Sequence, residues 1–300
     1  MEHAHHHTNI SGKNILITIV LNAGITTAQL IGGLFSGSMA LLSDAAHNFS
    51  DVISLVISYA AIRLSTREHS LKKTFGFKRA GVFAAFINTV FLLVVAVILI
   101  LQAVKRLIDP HPVEGSIVIW LAAAGILLNG ISMLFIRKDA DHNLNIKSAF
   151  LHLLADMLTS VAVFAGGFII KYLGWLWIDG VLTIVIAGYL IYSSWGIFYE
   201  SIKIFMQFTP SHIDIEKVAE SITRVEGISN VHHVHVWQLD EDEMIFEAHV
   251  DLEADYSISR FETILDKVEV ILKGFGINHF NIQPELNRGD QKELINRGRN

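Results

Sequence analysis

The chain is 300 residues long, with a mean hydropathy of +0.46 and only 17% charged side chains, a balance unusual for a soluble protein and expected of one that spends much of its length in a bilayer. The net charge of -6 comes mostly from the last third and argues against a nucleic-acid partner. There are no cysteines, so disulfides and thiolate metal sites are excluded, and any metal chemistry must use imidazole and carboxylate.

The amino terminus, Met1 to Ser11, is polar and carries His3, His5, His6 and His7. It lacks the basic-then-apolar order of a cleaved signal peptide and is expected to stay attached as a solvated tail over 1–13, with loose metal capture as the alternative reading. Charged residues are then absent between Lys13 and Asp44, between Arg79 and Lys105, and between Glu114 and Arg137. Each gap has room for a spanning helix of about 20 apolar residues.

Apolar stretches predict six membrane helices: Asn14 to Phe35, Met39 to Ile62, Ala80 to Val104, Ile117 to Ile136, Ser148 to Tyr172 and Ile178 to Tyr199. The short hinge Ser36-Gly37-Ser38 makes the first two an antiparallel hairpin. Basic residues concentrate between helices two and three (Arg63, Arg67, Lys72, Lys73, Lys78, Arg79) and between four and five (Arg137, Lys138, Lys147). The opposite loops hold Lys105, Arg106 and Lys171 alone, so both termini are expected on the cytoplasmic side. Short loops and compact domains fit a bacterial inner membrane.

After Thr209-Pro210 the composition becomes that of a soluble domain. Ile213 to Val225 and Ser257 to Leu272 read as amphipathic helices, and Asn230 to Leu239, Met244 to Leu252 and Ile277 to Ile282 as strands, in the order αββαβ. Glu241-Asp242 mark a hairpin turn, and Gly274 and Gly276 end the second helix. The expected organisation is a six-helix membrane domain over 14–208, a cytoplasmic α+β domain over 209–286 and a polar tail over 287–300.

Ionisable groups inside a membrane helix are costly and mark function. Helix two carries Asp44, His47 and Asp51, and helix five carries His152 and Asp156. His47 and Asp51 are four apart, as are His152 and Asp156, so each helix presents one imidazole and one carboxylate on a single face. Where those faces meet, four N and O donors converge, the number and chemistry of a tetrahedral zinc site. Two buried His–carboxylate pairs that merely fix helix packing are the alternative. Asp44 lies one turn before His47, near its helix start, where capping is the commoner use of Asp; it is also a candidate to line the access path or support the ligands. Asp179, at the start of the sixth helix, reads as a cap or interface residue.

Three segments carry a family resemblance: Gly37-Ser38-Met39-Ala40-Leu41-Leu42-Ser43-Asp44-Ala45-Ala46-His47-Asn48-Phe49-Ser50-Asp51, then Phe75-Gly76-Phe77-Lys78-Arg79, and Leu151-His152-Leu153-Leu154-Ala155-Asp156. With them the chain resembles the cation diffusion facilitator family, bacterial zinc, cadmium and cobalt efflux proteins in particular, over nearly its whole length. The resemblance implies a homodimer of six-helix protomers, each with a metallochaperone-like αββαβ cytoplasmic domain, exporting divalent metal in exchange for protons. It implies no prosthetic group, with zinc as cargo and as a regulatory ion. The matching residues for the transported ion are His47, Asp51, His152 and Asp156, and the two histidines look like the zinc- and cadmium-selective form of the motif. A further family site in the loop between helices two and three has only Glu68 and His69 as matches.

In the soluble domain, strict strand alternation turns Phe246, Ala248, Val250 and Leu252 toward the helices and leaves His249 on the open face, with His233, His235 and His279. The family comparison instead favours His232 with His249, with Asn281 and Gln283 standing where some relatives have His and Asp. The expected order of involvement is His249, His235, His279, His232.

A membrane metalloprotease using the same metal would be a different class. No His-Glu-x-x-His motif occurs, and a closed four-ligand shell leaves no position for catalytic water. A metal sensor without transport is a third class. Protons are the expected counter-ion, because metal requires neutral His and ionised Asp, and protonation of either competes with it.

Overall fold

The computed structural model describes residues 12–65, 70–140, 144–240, 243–286, 288–289 and 291–295. It divides into two compact units, Met1–Ile62 with Ile87–Phe198, and Arg63–Phe86 with Tyr199–Asn300.

The first unit is helical. Among the described residues, six long helices follow one another: α1 (Gly12–Ser36), α2 (Met39–Ser65), α3 (Ala80–Ile108), α4 (Gly115–Ala140), α5 (Leu144–Leu173) and α6 (Trp177–Phe205). Among the described residues, four stretches are long and apolar enough to cross a membrane, lying in α3, α4, α5 and α6. The helices outlast the apolar windows that predict them. Lys105 and Arg106, expected in a loop, form the last turn of α3, where cations meet the negative end of the helix dipole. Arg63, Arg137, Lys138, Lys147 and Lys171 are likewise helical. A charge ends the hydrocarbon-compatible stretch but has no reason to end the backbone hydrogen bonding.

The side-chain distribution is inverted relative to a soluble bundle. Leu101, Trp120, Leu127, Val185 and Tyr192 point outward, whereas Gln29, Asp44, His47, Asn88, Asp156, Ser160 and Thr183 are buried between helices. An apolar exterior of this extent is one that lipid would cover. Small apolar clusters fill the spaces between, one of Ala40, Leu41, Val118, Ala122, Val163 and Ile186, another of Leu92, Ala96, Leu99, Ala187 and Leu190.

The α1–α2 hinge is held by polar contacts. Gly37 takes φ +68, a left-handed turn that a Cβ would strain, and an added Cβ would lie 3.0 Å from the Pro112 carbonyl. Asp179 of α6 accepts from the Ser38 hydroxyl at 2.5 Å, from the Met39 N–H at 2.8 Å and from the Ala40 N–H at 3.3 Å. It therefore caps α2 rather than only opening its own helix. Arg106 completes the cluster, donating to the Gly37 carbonyl and lying 3.6 Å from Asp179.

In the second unit, α7 (Ile215–Thr223), β1 (Ile228–Gln238), β2 (Met244–Leu252), α8 (Ile258–Gly274) and β3 (His279–Glu285) follow in the order αββαβ. The sheet order is β1-β2-β3, with β1 antiparallel and β3 parallel to β2, so α8 is the crossover the parallel pair requires. Val218 and Ile222 of α7 and Ile264, Val268 and Leu272 of α8 pack on Val231, Val234, Val236, Phe246, Ala248 and Val250 from the sheet. Asp214 and Ser257 cap the two helices, and α8 gives way to Gly276 at φ +81. The Glu241-Asp242 turn lies outside the described residues; beside it the Glu243 N–H donates to Asp240 at 2.8 Å.

Two departures from simple strand periodicity matter below. β1 does not alternate strictly: His232 pairs with His249 and His235 with Glu247, so three residues of β1 span two of β2, and His233 adopts φ +53. This β-bulge puts His232 and His235 on the same face. β3 starts two residues later than expected and runs on through Pro284 to Glu285, which an edge strand tolerates.

Candidate metal sites

Because α2 is regular through this stretch, His47 and Asp51 project from one face, and α5 does the same with His152 and Asp156. The two faces meet. His47 Nε2 lies 2.8 Å from Asp156 Oδ1 and 3.9 Å from Asp51 Oδ2, and His152 Nε2 lies 3.6 Å from both Asp51 Oδ2 and Asp156 Oδ2. One donor atom from each of the four falls within 4.8 Å of the others. A tetrahedral zinc with ligands at about 2.1 Å has donor–donor edges of about 3.4 Å, close to this spacing.

The site has a closed and an open side. His47 and Asp156 are buried, at 6% and 4% exposure, whereas the His152 side chain is half exposed and that of Asp51 is 30% exposed. Tyr189 of α6 packs edge-on against His47, with ring centroids 6.3 Å apart, a neighbour that no local spacing in the sequence marks. With both imidazoles offering Nε2 and both carboxylates offering oxygen, the donor set suits a borderline transition metal better than calcium or magnesium. Asp44 stands outside the four-donor group. It is 1% exposed and is bound by Gln29, Thr159 and Ser160.

A second group forms on the open face of the sheet. His232 Nε2 lies 3.4 Å from Glu285 Oε2, and His249 Nδ1 lies 2.9 Å from Glu285 Oε1. These three are the only other donor cluster among the described residues. The strict alternation expected of β1 is corrected here: the bulge at His233 carries His232 to His249, the pair that the family comparison favoured, while His235 faces Glu247. His279 pairs with Ile245 at the far end of β3, its ring 6.1 Å from Phe75. Glu285 was missed because the sequence pattern ends β3 at Ile282. His69 and the histidines of 1–11 lie outside the described residues.

Part of the segment expected to be a polar tail is seated beside this group. The His233 and Val234 N–H groups donate to the Glu293 and Leu294 carbonyls at 3.2 and 2.8 Å, and Leu294 packs against the domain core. Lys292 Nζ thereby comes 2.7 Å from Asp251 Oδ1, 3.1 Å from Glu285 Oε2 and 3.4 Å from His232 Nε2.

Residues 15–206 match the cation efflux transmembrane domain and residues 210–286 the cation efflux protein cytoplasmic domain. Zinc transporter ZitB of Pectobacterium atrosepticum is 34% identical over 97% of this chain and 91% of its own length. The cadmium, cobalt and zinc/H(+)-K(+) antiporter of Bacillus subtilis is 33% identical over 97% and 94%, and the metal cation efflux system protein CzcD of Cupriavidus metallidurans is 30% identical over 95% and 90%. The chain therefore belongs to the cation efflux family, the cation diffusion facilitators, and is a membrane transporter rather than an enzyme.

Proposed function

We infer that this protein exports zinc, with cadmium and cobalt as further substrates, by carrying the ion on His47, Asp51, His152 and Asp156 in exchange for protons. The observation that carries this reading is the meeting of the two His–Asp faces of α2 and α5, with four donors inside a radius that suits one tetrahedral ion. The names of the relatives, a zinc transporter and a cadmium, cobalt and zinc antiporter, point the same way.

All six long helices span the membrane in this account, over 14–208, and 209–286 forms a metallochaperone-like cytoplasmic domain on which two protomers associate. Both termini are cytoplasmic, and the membrane is a bacterial inner membrane. Cytosolic zinc loses water, binds the four donors and leaves on the other side after the helices rearrange around the site. His232, His249 and Glu285 form a regulatory site on the cytoplasmic domain; they supply three of the four ligands that zinc takes in a closed shell.

The antiport step follows from the donors. An imidazole titrates near pH 6.5 in water and a carboxylate near 4, and no single donor atom binds metal and proton at once. Zinc leaving toward a more acidic compartment is replaced by protons, which return inward with the empty carrier. The test is zinc movement in vesicles containing the purified protein under pH gradients of either sign, with potential clamped and a pH dye inside. Zinc should run against the proton gradient, with matching proton counter-flow. Equal rates under both gradients without proton movement would leave facilitated diffusion as the mechanism.

A further inference from the structure

The transport ligands sit against a buried polar loop that the four-ligand account leaves unused. Asn48, next to His47, donates from Nδ2 to Gln29 Oε1 on α1 at 2.8 Å. Gln29 Nε2 in turn donates to Asp44 Oδ2 at 3.0 Å. The other oxygen of Asp44 accepts from the Thr159 hydroxyl of α5 at 3.0 Å, and that hydroxyl also lies 2.8 Å from the Asp156 carbonyl oxygen. Ser160 adds a further donor, 3.2 Å from Asp44 Oδ2. The chain of contacts begins beside one ligand, His47, and ends on the backbone of another, Asp156, the pair already in contact at 2.8 Å.

Asp44 is 1% exposed and Gln29 and Ser160 are fully buried, so the centre of this set of bonds is enclosed by protein, with Asn48 and Thr159 partly buried at its ends. Three donors converge on two oxygens, which a carboxylate can satisfy and a single amide oxygen cannot do equally well. No Lys or Arg pairs with Asp44 among the described residues. Its place in the bilayer therefore rests on this hydrogen-bond geometry, which low dielectric makes strong when complete and costly when broken. A separate observation shows how closely the loop is enclosed. Gly125 of α4 faces it, and a Cβ there would come within 3.0 Å of Ser160 Oγ and 3.1 Å of Gln29 Nε2. Four helices thus meet around one carboxylate.

We propose that Asp44 is a positioning residue of the transport site: by tying α1 and α5 to α2 one turn from His47, it fixes the spacing of His47 and Asp156 and so sets the size of metal ion the four ligands accept. This inference rests on the four-ligand reading above. Cadmium is larger than zinc, so a site held at zinc spacing discriminates between them, and loosening the loop relaxes that preference. Groups that orient metal ligands act on affinity and selectivity rather than on the existence of the site.

The experiment uses the full-length protein in lipid vesicles, with zinc and cadmium uptake measured over a range of concentrations. Asp44→Asn keeps shape and removes one acceptor; it should raise KM for zinc about tenfold, shift the zinc-to-cadmium ratio of kcat/KM toward cadmium, and change kcat for zinc much less. Gly125→Ala presses on the same loop from α4 without touching Asp44, and should shift the ratio in the same direction even if Asp44→Asn fails to fold. Wild-type KM and metal ratio in folded Asp44→Asn would overturn the proposal, as would a change of kcat alone with the ratio intact. A Gly125→Ala protein with the wild-type ratio would count against the loop as the agent. His47→Ala, run in parallel, separates the two levels: retained zinc affinity there would overturn the four-ligand reading itself.

Discussion

His47 of α2 and Asp156 of α5, 109 residues apart in sequence, are in direct contact at 2.8 Å and are both almost fully buried. Asp51 and His152 complete the donor set on its exposed side. The four residues are therefore not equivalent: one pair also holds α2 to α5, and the other faces outward.

The two carboxylates should consequently differ in what their loss does to the fold. Asp156→Ala leaves His47 without its 2.8 Å partner and should lower stability by about 1–3 kcal/mol, the cost of an unsatisfied buried polar group. Asp51→Ala removes a partly exposed side chain and should unfold close to the wild type. Thermal unfolding of both purified variants in detergent, without metal, measures the difference. Equal melting temperatures would mean that the His47–Asp156 contact contributes nothing to helix packing.

Selectivity should move with donor chemistry at the exposed corner. His152→Asp replaces imidazole by oxygen at a half-exposed position, so the fold tolerates it, and the preference for zinc over manganese should fall by about tenfold. Competition between the two metals in vesicle uptake reads this ratio. An unchanged ratio would place metal discrimination elsewhere than in the donor set.

On the soluble domain, Lys292 lies among the same oxygens and nitrogen that would hold a regulatory metal, 3.1 Å from Glu285 and 3.4 Å from His232. Its ammonium already occupies Glu285, and a divalent cation bound there would have to displace it. Lys292→Ala should tighten zinc binding there by about tenfold, and Glu285→Gln should weaken it by at least as much. Zinc titration of the full-length protein carrying Asp51→Ala, which removes one of the four donors of the proposed membrane site, reads this event. Identical affinity with and without Lys292 would show that the tail does not contend for the site.

What the sequence made legible follows from how regular the backbone is. Charge-free windows located the long helices, and on an unbroken helix the four-residue spacing alone puts His47 with Asp51 and His152 with Asp156 on single faces. On the sheet, strand alternation alone placed His249 correctly but not His232, for a local reason. One extra residue at His233 reverses the parity of β1, which turns His232 toward His249, and Pro284 hides the continuation of β3 to Glu285. Asp44 and Asp179 looked alike in sequence, each near a helix start. Their partners are entirely tertiary, Gln29, Thr159 and Ser160 for one, Ser38, Met39 and Ala40 for the other, and no local pattern encodes such pairings. Lys292 reaches its site through backbone pairing of 293–294 with β1, a contact that a short polar segment does not advertise.

The most direct test of the central claim is zinc flux into vesicles carrying equal amounts of folded protein, compared across His47→Ala, Asp51→Ala, His152→Ala, Asp156→Ala and the wild type. If these four side chains jointly hold the transported ion, each single variant loses flux by at least about a hundredfold at low zinc, since each removes one ligand of a closed shell. Flux near the wild-type rate in a well-inserted Asp51→Ala or Asp156→Ala variant would contradict the account, because zinc would then be crossing the membrane by another path.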